Sequence, residues 1–214
     1  LGLRKLDIAI GIADRVVYNV VDVIKKRCAL SDALIKDRRF GELYLLPASQ
    51  SENKLAIDPD EMKILCRELS RQFDFVLIDS PAGVERGFEN SVSGADSAVI
   101  VVTADAASLR DADRIADILT EQYRIRNIRV LVNRYRPDLV KAGVMTGIES
   151  VISMLRVGIV GIIPEDDAVI TAASKNMPVI SIPDSRAAKG FENIAKRIAG
   201  ADVPLTRFKN DGLF

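Results

Sequence analysis

An α/β fold with a mostly parallel sheet is what these 214 residues predict, and three observations carry it. Short apolar runs rich in β-branched residues recur along the chain, and capped segments of helical period fall between them. No internal repeat, low-complexity tract or Pro/Ser-rich linker interrupts the series, so one domain is expected. At 48% hydrophobic and 28% charged residues, the chain is long and apolar enough to bury a sizeable core.

The runs Leu43–Leu46, closed by Pro47, and Phe75–Ile78, closed by Asp79, predict buried strands. Ala98–Val102, Ile128–Val132 and Ile159–Ile163 repeat the pattern, each ended by polar residues or proline. Between them, Asp58-Pro59-Asp60-Glu61 offers an N-cap, a proline in the first turn and an acid three places after the cap, which opens a helix with Met62, Leu65, Cys66 and Leu69 on one face. Ser108-Leu109-Arg110-Asp111 opens another, with Leu109, Ala112, Ala116 and Leu119 as its buried stripe. Thr146-Gly147-Ile148-Glu149 reads as a further capping box. Ser185 precedes a helix whose inward stripe is Ala187, Phe191, Ile194, Ala195 and Ile198.

Composition excludes several chemistries. Thirty Lys and Arg balance thirty Asp and Glu, so the basic footprint of a dedicated nucleic-acid binder is missing. There is no histidine, which removes the Ser-His-Asp triad, the Cys-His dyad, the H-E-x-x-H zinc site and any histidine base. Cys28 and Cys66 are far apart and read as reduced thiols of a cytosolic protein. No apolar run approaches the roughly 20 residues of a spanning helix. The pattern G-x-x-x-x-G-K-[ST] does not occur, so these residues contain no phosphate-cradling loop with its lysine. The chain opens on Leu1 in what reads as the middle of a loop, and a fragment is expected.

In open α/β sheets ligands sit beyond the carboxyl ends of the strands, which singles out four groups of residues. Asp79-Ser80-Pro81-Ala82-Gly83 places an acid after a buried run and before a small, bent loop. It reads either as a Walker-B-type aspartate supporting Mg²⁺ with a phosphate-sensing loop or as a turn cap. Gly2-Leu3-Arg4-Lys5-Leu6-Asp7 carries adjacent cations suited to phosphate or simply to solvent. Asn133-Arg134 and Pro164-Glu165-Asp166 end successive strands. An Asn amide offers the donor and acceptor that an adenine edge requires, and loop N-caps are the other reading. The charges of Ser108-Leu109-Arg110-Asp111-Ala112-Asp113-Arg114 either complement a helix dipole or form a docking surface.

In order and spacing these segments, with Arg15-Val16-Val17-Tyr18, Ala33-Leu34-Ile35-Lys36-Asp37 and Leu45-Leu46-Pro47-Ala48-Ser49-Gln50, resemble the MinD family of septum-placing ATPases along essentially the whole chain. That family lies within the deviant-Walker group that includes ParA and nitrogenase iron protein. The resemblance implies a three-layer P-loop NTPase fold, here lacking the first strand, phosphate loop and first helix. It implies an ATPase domain over 1–206 and the start of an amphipathic membrane-targeting tail over 207–214.

What the resemblance implies for the site is specific. Asp79 supports Mg²⁺ through water and is the catalytic position. Gly2, Leu3, Arg4, Ser80, Pro81, Ala82, Gly83, Asn133, Arg134, Pro164, Glu165 and Asp166 contact ATP. Arg110, Asp111 and Asp113 form the surface for MinC and MinE-like regulators, with Asp105 departing from the family's Glu nearby. Leu213 and Phe214 begin the membrane contact. The intact protein is then an ATP-clamped homodimer, cytoplasmic and peripherally bound to the anionic inner membrane, with no specific nucleic acid. The 214 residues alone are expected to be inactive and to bind vesicles poorly. A partner-binding scaffold without a phosphate loop and a ParA-like partitioning ATPase are the rival readings.

Overall fold

The computed structural model describes residues 6, 12–49, 57–81, 83, 84, 86–206 and 208. The chain divides into two compact units, Leu1–Ala95 and Asp96–Phe214.

In the first unit, helix α1 (Val20–Ile24) is capped by Asn19, whose side chain accepts from Val21 N while Asp22 accepts from Asn19 N. The short α2 (Leu30–Ala33) follows. Strand β1 (Ile35–Lys36) then pairs antiparallel with β2 (Tyr44–Leu45). The turn between them is held by Asp37, whose carboxylate accepts from the backbone N–H groups of Arg39 and Phe40 and pairs with the Arg39 guanidinium at 2.9 Å. Helix α3 (Pro59–Leu69) starts where the capping signal placed it: Asp58 accepts from Asp60 N, and Glu61 returns to Asp58 N at 3.0 Å. Its Leu65 and Leu69 join Val20, Val21, Leu30 and Ile57 in the core of this unit. Helix α4 (Arg86–Ser93) packs beside α3, so closely at Gly94 that a Cβ there would meet Cys66 Sγ at 2.5 Å.

Two strand expectations change here. Leu43–Leu46 contributes only the half-buried Tyr44–Leu45 of a two-stranded antiparallel ribbon. Phe75–Ile78 forms no strand among the described residues. Val76 packs on the core while Phe75 and Leu77 are 58% and 86% exposed, so the segment covers one face only. Apolar alternation supplies a strand's faces, but a strand also needs a neighbour's N–H and C=O groups, and no described segment offers them.

The second unit carries the parallel sheet, in the order β3 (Ser97–Val102), β4 (Asn127–Tyr135), β5 (Gly158–Pro164). Helix α5 (Ala106–Glu121) connects the first two strands and buries Leu109, Ala112, Ala116 and Leu119 as its period predicts. It begins before Ser108, however. Asp105 is the N-cap, accepting from Ala107 N and Ser108 N, while Ser108 Oγ accepts from Thr103 N. Helices α6 (Pro137–Lys141) and α7 (Ile148–Met154) link β4 to β5. The N-cap of α7 is Gly147 without a side-chain bond, so Thr146 is no capping box; its N–H donates to Ala104 O instead.

Helix α8 (Asp167–Ser174) and α9 (Arg186–Ile198) complete the unit. Ser185 caps α9, accepting from Ala188 N, as expected. Its buried face is Ala187, Ala188, Gly190 and Ile194; Phe191, Ala195 and Ile198 of the expected stripe are exposed. The helix lies so close to β5 that a Cβ on Gly161 would collide with Ile194, and one on Gly190 would meet Ile163 Cδ1 at 2.8 Å. Close approach therefore turns the stripe toward the small residues.

Strand β3 differs from the buried run expected at 98–102. It ends the row of described strands, and Val99 and Val101 are 42% and 60% exposed. Val130 and Val132 on central β4 are fully enclosed, with Leu109, Val151 and Ile162 around them.

Candidate functional site

The carboxyl ends of β4 and β5 carry the most elaborate polar structure of the second unit. Val132 pairs with Ile162 and Tyr135 with Pro164, so β4 spends three steps where β5 spends two. The extra residue is a β-bulge at Asn133-Arg134, and Arg134 adopts φ 54°. Bulges bend a strand and re-aim its side chains, and a non-glycine residue in the left-handed region costs about 1 kcal/mol or more. The residues that the sequence singled out at this strand end are thus the ones the backbone distorts.

Arg134 Nε donates to Glu165 Oε2 at 2.8 Å, bridging the two strand ends, and that bond raises the arginine's pKa above its usual value. Glu165 N donates to Tyr135 O, and the Tyr135 ring is wholly buried against Phe208, centroids 5.1 Å apart. Asn133 is half-buried, and its amide makes no hydrogen bond to another described residue. A fixed strand end with an unspent donor and acceptor suits the edge of a heteroaromatic base.

Asp166 is occupied differently. One carboxylate oxygen accepts from Ala168 N at the start of α8, the other from the Ser185 hydroxyl and Ala187 N at the start of α9. These bonds, first that from Ala187 and then that from Ala168, hold its pKa below the ordinary carboxylate value. Its carboxylate therefore fixes two helix starts. Pro164, at the end of β5, is buried.

On α5, Arg110 Nε donates to Ala106 O, whereas Asp111 and Asp113 are exposed and form no ion pair with another described residue. The opposite face of the helix is the buried stripe, so these charges stand on a rigid support.

In the first unit, Asp79, Ser80 and Pro81 are exposed in an irregular segment, and Gly83 adopts φ 89°, which a glycine accepts without strain. A Cβ on Gly87 would meet Pro81 Cγ at 2.8 Å, so that proline sits directly on α4. Gly2, Leu3, Arg4, Ala82, Leu213 and Phe214 lie outside the described residues. No cluster of three or more metal-ligating side chains occurs among the described residues. A lone Asp79 fits a Mg²⁺ ion that takes most of its ligands from water and phosphates.

Two features of the site had no sequence signal: the bulge, which depends on the register of β5, and the Asp166–Ser185 bond, which joins residues 19 positions apart. The N-cap preference of each residue was visible; their pairing was not.

Comparison with known proteins settles the family. The septum site-determining protein MinD of Bacillus subtilis is 43% identical over 206 residues, covering 96% of this chain and 77% of that protein. The MinD of Helicobacter pylori is 43% identical over 98% of this chain and 80% of its own length. The chain belongs to the MinD family. A family model described as "Cellulose biosynthesis protein BcsQ" also matches residues 35–198. Among solved structures, the MinC:MinD cell division protein complex of Aquifex aeolicus superposes with TM-score 0.88 at 37% identity, covering 97% of this chain and 84% of that one. MinD of Pyrococcus horikoshii, solved with Mg-ADP, superposes at 0.79 with 25% identity, covering 94% and 82%. The chain therefore has the MinD-type P-loop NTPase fold, and its family serves cell-division site selection.

Proposed function

We propose that this MinD-family chain reads adenine at the ends of β4 and β5 and presents α5 to MinC and MinE-like regulators, as part of an ATP-driven, membrane-associated regulator of division-site choice. The observation that carries the reading is the bulge at Asn133-Arg134, which leaves an unspent Asn133 amide beside the Arg134–Glu165 bridge. The Mg-ADP bound to the Pyrococcus relative and the MinC bound to the Aquifex relative support it.

In this reading Asn133 offers its amide to the base edge, and the Arg134–Glu165 bridge fixes the strand ends that carry it. Asp166 holds the adjoining backbone by tying α8 to α9. Asp79 orients water around Mg²⁺ through its carboxylate, and Ser80, Pro81, Ala82 and Gly83 form the loop that senses the terminal phosphate. The family resemblance assigns Gly2, Leu3 and Arg4 to a switch segment. ATP with Mg²⁺, when bound, supplies the scissile anhydride and the charge that clamps two subunits together. Arg110, Asp111 and Asp113 then form the regulator surface. The tail opening at 207–214, with Leu213 and Phe214, begins a weak anionic-membrane anchor that gains strength when two copies are linked.

Equilibrium dialysis of ATP against GTP tests the base reading. Preference for ATP that Asn133→Ala abolishes is the expected result; equal retention of both nucleotides by the unaltered chain overturns it. A partner-binding scaffold is the second reading, supported by the exposed Asp111 and Asp113 on the outer face of α5. It predicts MinC binding that is indifferent to nucleotide.

A further inference from the structure

At the other end of the sheet, where β4 and β5 begin, the second unit has a groove of about 450 Å³. Three arginines line it from two stretches of chain: Arg124 and Arg126, two residues apart in the connection between α5 and β4, and Arg156 on the approach to β5. All three are exposed, and none makes an ion pair or side-chain hydrogen bond with another described residue. Glu121 is the single acid in the lining, leaving the groove two charges positive if every group is ionised. The floor includes the buried Ile128.

Helix polarity accounts for part of this. A cation after the last turn of α5 answers the negative end of that helix. It does not explain Arg126, which leads into β4, or Arg156, which leads into β5. Arg124 itself adopts φ 58° as the left-handed residue that ends α5, where Ile125 N donates to Leu119 O at 3.0 Å and glycine is the usual occupant. The groove thus gathers three cations, none of them ion-paired with another described residue, against the single carboxylate of Glu121 in its own lining.

We propose that this groove binds a phosphate group. Guanidinium groups present planar pairs of donors that match phosphate oxygens, and three of them on one groove can engage one phosphate. Asp113 and Asp117 stand on the adjoining face of α5, in a second hollow that shares Arg156. They confine the positive field to the groove and oppose a broad polyanion such as a nucleic acid. The groove lies at the amino ends of the strands, away from Asn133 and Glu165 at their carboxyl ends, and is separate from the proposed nucleotide site. A phosphate of this kind belongs either to a free solute or to a lipid headgroup.

The test is a titration of the ¹⁵N-labelled chain with inorganic pyrophosphate at low ionic strength, following the arginine Nε–Hε signals by NMR. Saturable shifts confined to Arg124, Arg126 and Arg156 are expected, with Arg156→Ala weakening binding about tenfold or more. Arg124→Gly relieves the backbone and is expected to unfold no earlier than the parent while also binding more weakly, a combination that a merely structural arginine would not give. Uniform small shifts of all exposed arginines, or affinity unchanged in both variants, overturns the proposal. Vesicles containing phosphatidic acid separate the sources. Retention that pyrophosphate competes away assigns a headgroup, pyrophosphate binding without retention assigns a soluble phosphate, and retention that pyrophosphate does not disturb counts against the site.

Discussion

The Ser185 hydroxyl donates to Asp166 at 2.9 Å, and through that bond one carboxylate caps two helices at once. Asp166→Ala removes acceptors from the starts of α8 and α9 and is expected to cost about 1–2 kcal/mol, measured by urea unfolding. Asp166→Asn, which retains one acceptor oxygen, is expected to cost less.

The same residue sets part of the acid limit. Its folded pKa is depressed, so its contribution is fully present above the unfolded value of about 3.9 and is lost as pH falls through the folded value. Asp37 acts in the same direction, held at about 2 chiefly by its hydrogen bond from the Arg39 side chain. Thermal unfolding followed from pH 6 downward is expected to show a loss of stability that begins below about pH 4, and Asp166→Ala is expected to flatten it.

Gly161 and Gly190 let α9 settle on β5. Gly161→Ala forces Ile194 aside and is expected to destabilise the chain by about 1–3 kcal/mol, whereas Gly158→Ala, with open space at its Cβ position, is expected to change little. Paired denaturation curves check this.

Leu109 is enclosed in the core under α5, and Leu109→Ala is expected to cost about 2–5 kcal/mol. On the outer face of the same helix, Asp111→Ala with Asp113→Ala is expected to leave stability within about 0.5 kcal/mol while weakening capture of MinC. Titration calorimetry beside a melt separates the two effects.

Signals that act within one turn of chain were legible in the sequence. The Asp58 cap with Pro59 and Glu61 starts α3 as read, and the stripe from Leu109 to Leu119 is buried as read. The start of α5 was misplaced because Ser108 and Asp105 are both cap formers, and only the fold shows that Asp105 takes the helix N–H groups while Ser108 turns to Thr103. The run at Phe75–Ile78 has a strand's composition, yet composition does not supply an edge to pair with, and Leu77 stays exposed. Asn133-Arg134 was visible as a strand end, while its bulge follows from the register of β5. Arg124-Ile125-Arg126 was readable as two nearby cations, while Arg156, thirty residues on, joins them only in the fold.

The account rests most directly on Asn133, whose side-chain amide can be watched by NMR during titrations of the chain with ATP and with GTP. It predicts a saturable shift of the Asn133 Nδ2 signals with ATP and a much weaker response to GTP. An amide that stays in place while ATP binds elsewhere, or that responds equally to both nucleotides, would contradict it.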